Sequence, residues 1–423
     1  MDYENGVTFA AVIILGLIFL KWAAQLWLNR LNQRQVLAHS NAVPAAFKGV
    51  MDDATYAKSV QYTLARSRLS RFEDTYQAAI LLLVLFGGGL PRAFGAFRDG
   101  AGSSAWAMAL FLFATGLVVT LPSLPVQWFE QFRLEERFGF NTTTQRTWWL
   151  DRVKGLLLSL LLGYPLLVLV LKIVEWSRSW WWWAWCALMA FELVLAVLAP
   201  VLILPLFNKL TPLPEGSLRN RLLDLAHRTR FRAKSIQVMD GSKRSRHSNA
   251  FFAGFGRFRK IVLFDTLVQQ LSETELESVL AHEIGHFKKK HIPKMLVFSA
   301  AGALAGLYAI AALARQEWFY RAFGFEPGGM APAFLLFGLL SGVVTFWLSP
   351  LAHGWSRRYE YQADAFAAGV MGEAESLIGA LRKLNEKNLS NLTPHPLYSW
   401  FYYSHPTLLE RERALEKLAL SPR

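Results

Sequence analysis

Residues 271–290 read LSETELESVLAHEIGHFKKK, and within them His282-Glu283-Ile284-Gly285-His286 forms an H-E-x-x-H pattern. Local signals place that pattern on a helix. Ser272 and Glu275 have the S-x-x-E spacing of a capping box, and Leu271 and Leu276 occupy the two positions of a hydrophobic staple. Lys288, Lys289 and Lys290 fall near the far end, where cations offset the negative end of the helix dipole. On such a helix His282 and His286 leave the same face, so their imidazoles can share one tetrahedral zinc ion. Glu283 projects beside them, within reach of a water proton. The alternative is that two histidines and a glutamate are ordinary surface residues of a helix, since any short motif recurs by chance.

Composition widens the frame. The chain has 423 residues, is 53% hydrophobic and only 18% charged, and carries 31 Phe and 16 Trp. That balance indicates a polytopic membrane protein, not a set of soluble domains. The formal net charge of +14 is accounted for by basic residues flanking membrane spans on the cytoplasmic side, so no nucleic-acid partner is expected. The one cysteine, Cys186, excludes an internal disulfide and a cysteine zinc cluster. The acidic start, Asp2-Tyr3-Glu4, lacks the basic region of a signal peptide, so the first apolar run reads as an uncleaved span.

Seven candidate spans follow from length and apolarity: about 7–28, 76–97, 105–121, 155–172, 181–206, 295–314 and 331–352. Gly87, Gly88, Gly89 and Pro91 interrupt the second. Trp180 to Trp183 with Trp185 read as an aromatic anchor at the headgroups. Basic residues concentrate after the first span (Arg30, Arg34, Arg66, Arg68, Arg71) and after the third (Arg133, Arg137, Arg146, Arg152). Positive-inside logic puts the N-terminus outside, and both the 208–294 segment and the tail after Trp355 in the cytoplasm. The expected fold class is mainly α: about seven transmembrane helices plus a small α+β zinc-protease domain. Residues 1–206 would form the N-terminal membrane domain and 207–423 the metallopeptidase domain, including the last two spans. Residues 29–75 read as cytoplasmic helix packed under the bundle. Within the second domain, 218–230 has helical spacing, 235–239 and 260–264 read as strands, and 249–253 is a candidate third strand turning at Gly254 and Gly256.

A catalytic zinc takes three protein ligands and keeps a position open. Glu360 is the preferred third, because on a helix it shares a face with Asp364: the first can ligate while the second holds an imidazole N–H. On the residues alone, a pairing of Glu360 with Arg357 or Arg358 on a solvated face is the stronger reading. His291 and His353 are rival ligands, the first too near the helix end and the second at a span boundary.

The whole pattern resembles the integral-membrane zinc metalloproteases of the type I CAAX prenyl protease family. Besides the histidines and Glu360-x-x-x-Asp364, the likeness covers Tyr56-Ala57-Lys58-Ser59 with Tyr62, Glu135-Glu136-Arg137-Phe138-Gly139-Phe140-Asn141, Ser248-Asn249-Ala250-Phe251 and Ser404-His405-Pro406-Thr407-Leu408-Leu409-Glu410-Arg411. The resemblance implies one Zn2+ per chain held by His282, His286 and Glu360, with Glu283 as base. It further implies that His405 donates to the oxyanion, Arg411 braces the site, and the strand from Asn249 through Ala250 and Phe251 receives substrate backbone by β-addition. It implies a wet chamber among the helices, into which Glu192 would face. Family members cut prenylated C-a-a-X proteins near the C-terminus, in the endoplasmic reticulum of eukaryotes; a bacterial homologue would sit in the inner membrane. The alternatives are a quality-control protease acting on membrane or stalled polypeptides, and a transporter or scaffold with structural zinc.

Overall fold

The structure, a computed structural model, describes residues 2–49, 51–231, 235–253 and 260–420. The turn expected at Gly254 and Gly256 lies outside these residues. Among them, six helices are long and apolar enough to cross a membrane, and a bent pair makes a seventh when counted as one span. The pair is Asp53–Phe86 and Gly89–Ala101, which meet at 51°. The bend falls in the glycine run that interrupts the second candidate span. Gly88 takes φ +69°, a left-handed conformation that a side chain would strain.

The polar region 29–75 is largely helical, as expected, and is built from extensions of the spans themselves. The helix Asp2–Ala38 simply continues the first span, and Asp53–Phe86 leads into the second, capped by Asp52, whose side chain accepts from Thr55 N–H at 2.8 Å. These extensions enter the core of the second domain: Val36, Phe47 and Tyr56 are buried in one cluster with Leu222, Leu280 and Leu377. Tyr56 Oη donates to the His39 carbonyl at 2.7 Å, tying the two helices together beneath the membrane.

The second domain carries a four-stranded sheet: β1 Leu210–Pro212, β2 Ser235–Met239, β3 Ala250–Ala253 and β4 Lys260–Phe264. Its order is β1-β2-β4-β3; β2 and β4 are parallel and the other two pairings antiparallel. The sequence reading finds β2, β3 and β4 but misses β1, whose three residues are too few to show an alternation. On β4, Ile261, Val262 and Leu263 are all buried, as a strand covered on both faces requires. β3 is an edge strand. It pairs with β4 on one side and packs against the helix Glu273–Lys288.

The last span belongs to a helix of 42 residues, Met330–Met371. At 1.5 Å per residue it is roughly 63 Å long, about twice the hydrocarbon thickness of a bilayer. One rod therefore crosses the membrane and runs on into the second domain, bringing Glu360 and Asp364 with it. Between the membrane helices, with Leu339 and Val343 of the last span in one wall, lies a cavity of about 350 Å3 lined also by Lys21, Gln25, Glu73 and Asp74. Glu192 is half-buried and is not part of its lining.

Candidate metal centre

The histidine helix starts where its caps say it should. The Ser272 side chain accepts from Glu275 N–H, and the Glu275 carboxylate accepts from Ser272 N–H at 2.8 Å, completing the capping box. Leu271, Leu276, Leu280, Ala281 and Ile284 bury the opposite face in the domain core. Burying that face turns His282 and His286 toward the long helix.

Gly285 sets how closely the two helices approach. A Cβ there would come 3.0 Å from Ala363 Cα and 3.1 Å from the Ala363 carbonyl oxygen. The glycine of H-E-I-G-H thus lets the backbones touch, and Ala363 stands between Glu360 and Asp364. That contact places both carboxylates against the imidazoles.

The three donor groups form a small triangle. His282 Nε2 and His286 Nε2 lie 3.1 Å apart; Glu360 Oε2 is 3.4 Å from the first and Glu360 Oε1 3.3 Å from the second. A tetrahedral zinc about 2.0–2.1 Å from each donor has donor–donor edges of about 3.3–3.4 Å. Glu360 Oε2 is buried with no hydrogen-bond partner among the described residues. Such an orphaned acceptor, beside the His282 ring nitrogen, suits a cation. His282, His286 and Glu360 are the group of described residues whose ligand atoms converge on one point.

Outer contacts decide which ring nitrogen faces that point. His282 Nδ1 lies 2.8 Å from Asp364 Oδ1, an arrangement in which Nδ1–H donates and Nε2 keeps its lone pair for the metal. Arg411, buried, donates to Asp364 from Nε at 2.8 Å and from Nη2 at 2.5 Å, and its Nη1 is 3.7 Å from Glu360 Oε2. His286 is oriented differently. Its Nδ1 lies 3.0 Å from Nδ1 of His291, whose Nε2 lies 3.0 Å from Gln362 Oε1. An amide oxygen can only accept, so His291 carries its proton on Nε2. His291 Nδ1 therefore accepts from His286 Nδ1–H, again leaving Nε2 free. His291 is buried and stacks on Tyr359 at 4.1 Å. It supports a ligand and does not converge on the metal point, while His353 binds the Phe401 carbonyl at 2.7 Å and lies apart.

Electrostatics follow from these neighbours. Burial lowers the basicity of His282, but the hydrogen bond to Asp364 and the Glu360 carboxylate 3.4 Å away outweigh it and raise its pKa to about 9. Burial raises the Glu283 carboxyl above its ordinary value, opposed by the neighbouring His282 and His286. His405 is exposed at the mouth, its Nε2 3.6 Å from Glu360 Oε1 and its Nδ1 3.0 Å from Ser404 Oγ.

The edge strand is tied to the membrane helices by groups the sequence reading left without a role. Tyr62 Oη donates to Glu135 at 2.7 Å, and Glu135 lies 3.3 Å from His247 Nε2. His247 stacks on Phe140 at 4.1 Å, two residues ahead of Asn249. Asn249 is exposed; its side chain accepts from Ala250 N–H at 2.8 Å and its carbonyl from Phe264 N–H at 3.1 Å.

Residues 32–209 match the family described as CAAX prenyl protease N-terminal, five membrane helices, and residues 212–419 match peptidase family M48. CAAX prenyl protease 1 of Saccharomyces cerevisiae is 35% identical over 432 residues, covering 96% of this chain and 95% of that protein. The chain belongs to the CAAX prenyl protease 1 family of M48 metalloproteases. The likeness read from the accessory segments thus holds over nearly the whole length. The CAAX prenyl protease 1 homolog of Homo sapiens is 32% identical over 463 residues, covering 97% of this chain and 95% of that protein. The crystal structure of S. mikatae Ste24p superposes with a TM-score of 0.88 at 34% identity, covering 96% of this chain and 98% of that one. As an M48 zinc metalloprotease, the chain is a multi-pass membrane hydrolase with a His-His-Glu metal site.

Proposed function

We propose that this chain cuts prenylated proteins near their C-termini, as a zinc metalloendopeptidase whose site faces the cytoplasm. The observation that carries the reading is the His282–His286–Glu360 triangle with Glu283 on the same helix, within a chain alike over its length to proteins named CAAX prenyl protease 1. One zinc per chain fits the three donors. When bound there, it supplies Lewis acidity to water and to the scissile carbonyl. Glu283 takes the water proton and delivers it to the leaving amine, a role its raised pKa suits. His405 at the mouth donates to the oxyanion. Asp364, with Arg411 behind it, and His291, with Gln362 behind it, hold the two imidazoles in register.

The exposed edge of β3, from Asn249 through Ala250 to Phe251, takes the substrate backbone as an added strand. The Tyr62–Glu135–His247 tie holds the start of that strand to the membrane domain. The division near residue 206 then separates a membrane unit that admits substrate from a unit that cuts it. Basic residues at the ends of the first and third spans support the cytoplasmic placement.

The test is Glu283→Gln in the full-length protein, with zinc content and cleavage of a farnesylated peptide and its unprenylated twin measured together. The expected result is retained zinc, cleavage lowered by at least about 100-fold, and wild-type preference for the farnesylated peptide. Unchanged cleavage removes the assignment of the base. Equal turnover of the two peptides removes the prenyl preference and favours clearance of unmodified polypeptides.

A further inference from the structure

Arg66 and Arg68 stand two residues apart on the helix Asp53–Phe86, in opposite surroundings. Arg66 is held by Glu130 and Glu135, each at 3.2 Å. Arg68 lines a groove of about 780 Å3 between that helix and the stretch 122–138. Arg133 and Arg137 line the same groove from the opposite wall; Arg133 lies 5.7 Å from the ring of Trp128, outside the lining, and Arg137 5.5 Å from that of Phe138, within it. Among the described residues, Arg68, Arg133 and Arg137 show no carboxylate partner, whereas Arg66 has two. The floor between them is apolar. Phe72 and Phe129 leave 56% and 49% of their surface uncovered there.

The groove lies at one level of the membrane. Arg68 and Phe72 precede the apolar run that begins at Tyr76, and Arg133 and Arg137 follow the third span. A smaller adjoining groove, about 490 Å3, shares Arg68 and Phe72 and adds Arg30, from the end of the first span, and Arg71. The same-side ends of the first three spans thus gather five guanidiniums around exposed aromatic rings.

We propose that the larger groove binds one anionic phospholipid, its phosphate among Arg68, Arg133 and Arg137 and an acyl chain over Phe72 and Phe129. Three like charges around an apolar floor repel one another unless an anion joins them, and low-dielectric walls strengthen both effects. A soluble anion would leave the two rings wet. A neutral lipid, or the uncharged prenyl chain of a substrate, would cover the rings and leave three charges unmatched. A phospholipid of net negative charge satisfies both, whereas the choline cation of phosphatidylcholine offsets its own phosphate; basic pockets between membrane helices on the cytoplasmic side take anionic headgroups. The inference stands on the groove and on membrane placement, independent of the catalytic reading.

The experiment compares the full-length protein with Arg68→Gln/Arg133→Gln/Arg137→Gln, purified in detergent and exposed to phosphatidylserine or phosphatidylcholine. Bound lipid is counted by native mass spectrometry across a salt series. The wild type is expected to retain one phosphatidylserine, and the triple variant to hold it roughly 100-fold more weakly, from about fivefold per arginine. The circular-dichroism melting temperature in neutral detergent checks that the variant is folded; should the triple variant not fold, the three single variants are compared instead. Equal phosphatidylserine retention by wild type and variants, or equal retention of phosphatidylcholine, overturns the proposal. A raised KM for farnesylated peptide with lipid retention unchanged overturns it too, and gives the groove to the prenyl chain of the substrate.

Discussion

Asp364 Oδ1 lies 2.8 Å from Nδ1 of His282, and the same carboxylate is gripped from behind by buried Arg411. The pair converts a rotatable imidazole into a ligand with a fixed face. Asp364→Asn keeps the shape but removes the charge that holds both the ring proton and the guanidinium. Zinc affinity is expected to fall about 10–100-fold. Chelator competition on the purified protein measures it, and an unchanged affinity would show that Arg411 alone organises the site.

The support behind His286 is neutral, and it answers to different substitutions. His291→Phe keeps a ring stacked on Tyr359 and removes the acceptor for His286 Nδ1–H. An affinity loss of about tenfold or more is expected, with the fold intact by circular dichroism. Gln362→Glu still accepts from His291 and should keep wild-type zinc affinity, while Gln362→Leu should lose it. If both Gln362 variants lose zinc equally, the direction of the proton relay is wrong.

Gly285 permits the helix contact that aligns everything else. With Ala363 backbone 3.0 Å from where a Cβ would stand, Gly285→Ala must push the helices apart by a few tenths of an ångström. The expected cost is about 1–3 kcal/mol, as for overpacking elsewhere, read as a lowered Tm. Cleavage should drop by more than that destabilisation explains, because Glu360 and Asp364 move with Ala363. A variant as active as wild type would show that the centre tolerates the shift.

Acid should act on the site in two ways. Without metal, His282 holds its proton up to about pH 9, so zinc has to displace it. Below that value apparent zinc affinity is expected to fall about tenfold per pH unit, measurable by competition between pH 6 and 8. Glu283 must be ionised to act as base. Since burial raises its pKa, the acid limb of kcat/KM should lie above the ordinary glutamate value of about 4.3. Glu283→Asp, with a shorter reach, should lower kcat while leaving zinc affinity in place.

Features that follow from local chemistry were readable without coordinates. The capping box, the shared face of His282 and His286, the strands β2 and β4 and the break at Gly87–Gly89 all depend on neighbours a few residues away. Glu360 was not of that kind: on residues alone it competed with a surface ion pair, and only its match to family segments, then the triangle, placed it with the histidines. Gly285 and Gln362 stayed silent because their roles depend on what another helix brings near them. His291 was read as a rival ligand for the same reason, since nothing local shows which partner its second nitrogen meets. Residues 29–75 are largely helical, as their spacing suggests, but polar composition alone does not show that these helices run on unbroken from the spans.

Because the last span and Glu360 share one helix, which continues through Pro350, their relative phase depends on the residue count between them. Inserting or deleting one residue between them would swing the carboxylate about 100° around the axis while moving it only about 1.5 Å along it. Length variation is therefore barred from this stretch, whereas one added heptad would restore the bearing to within about 20° at a new height above the lipid.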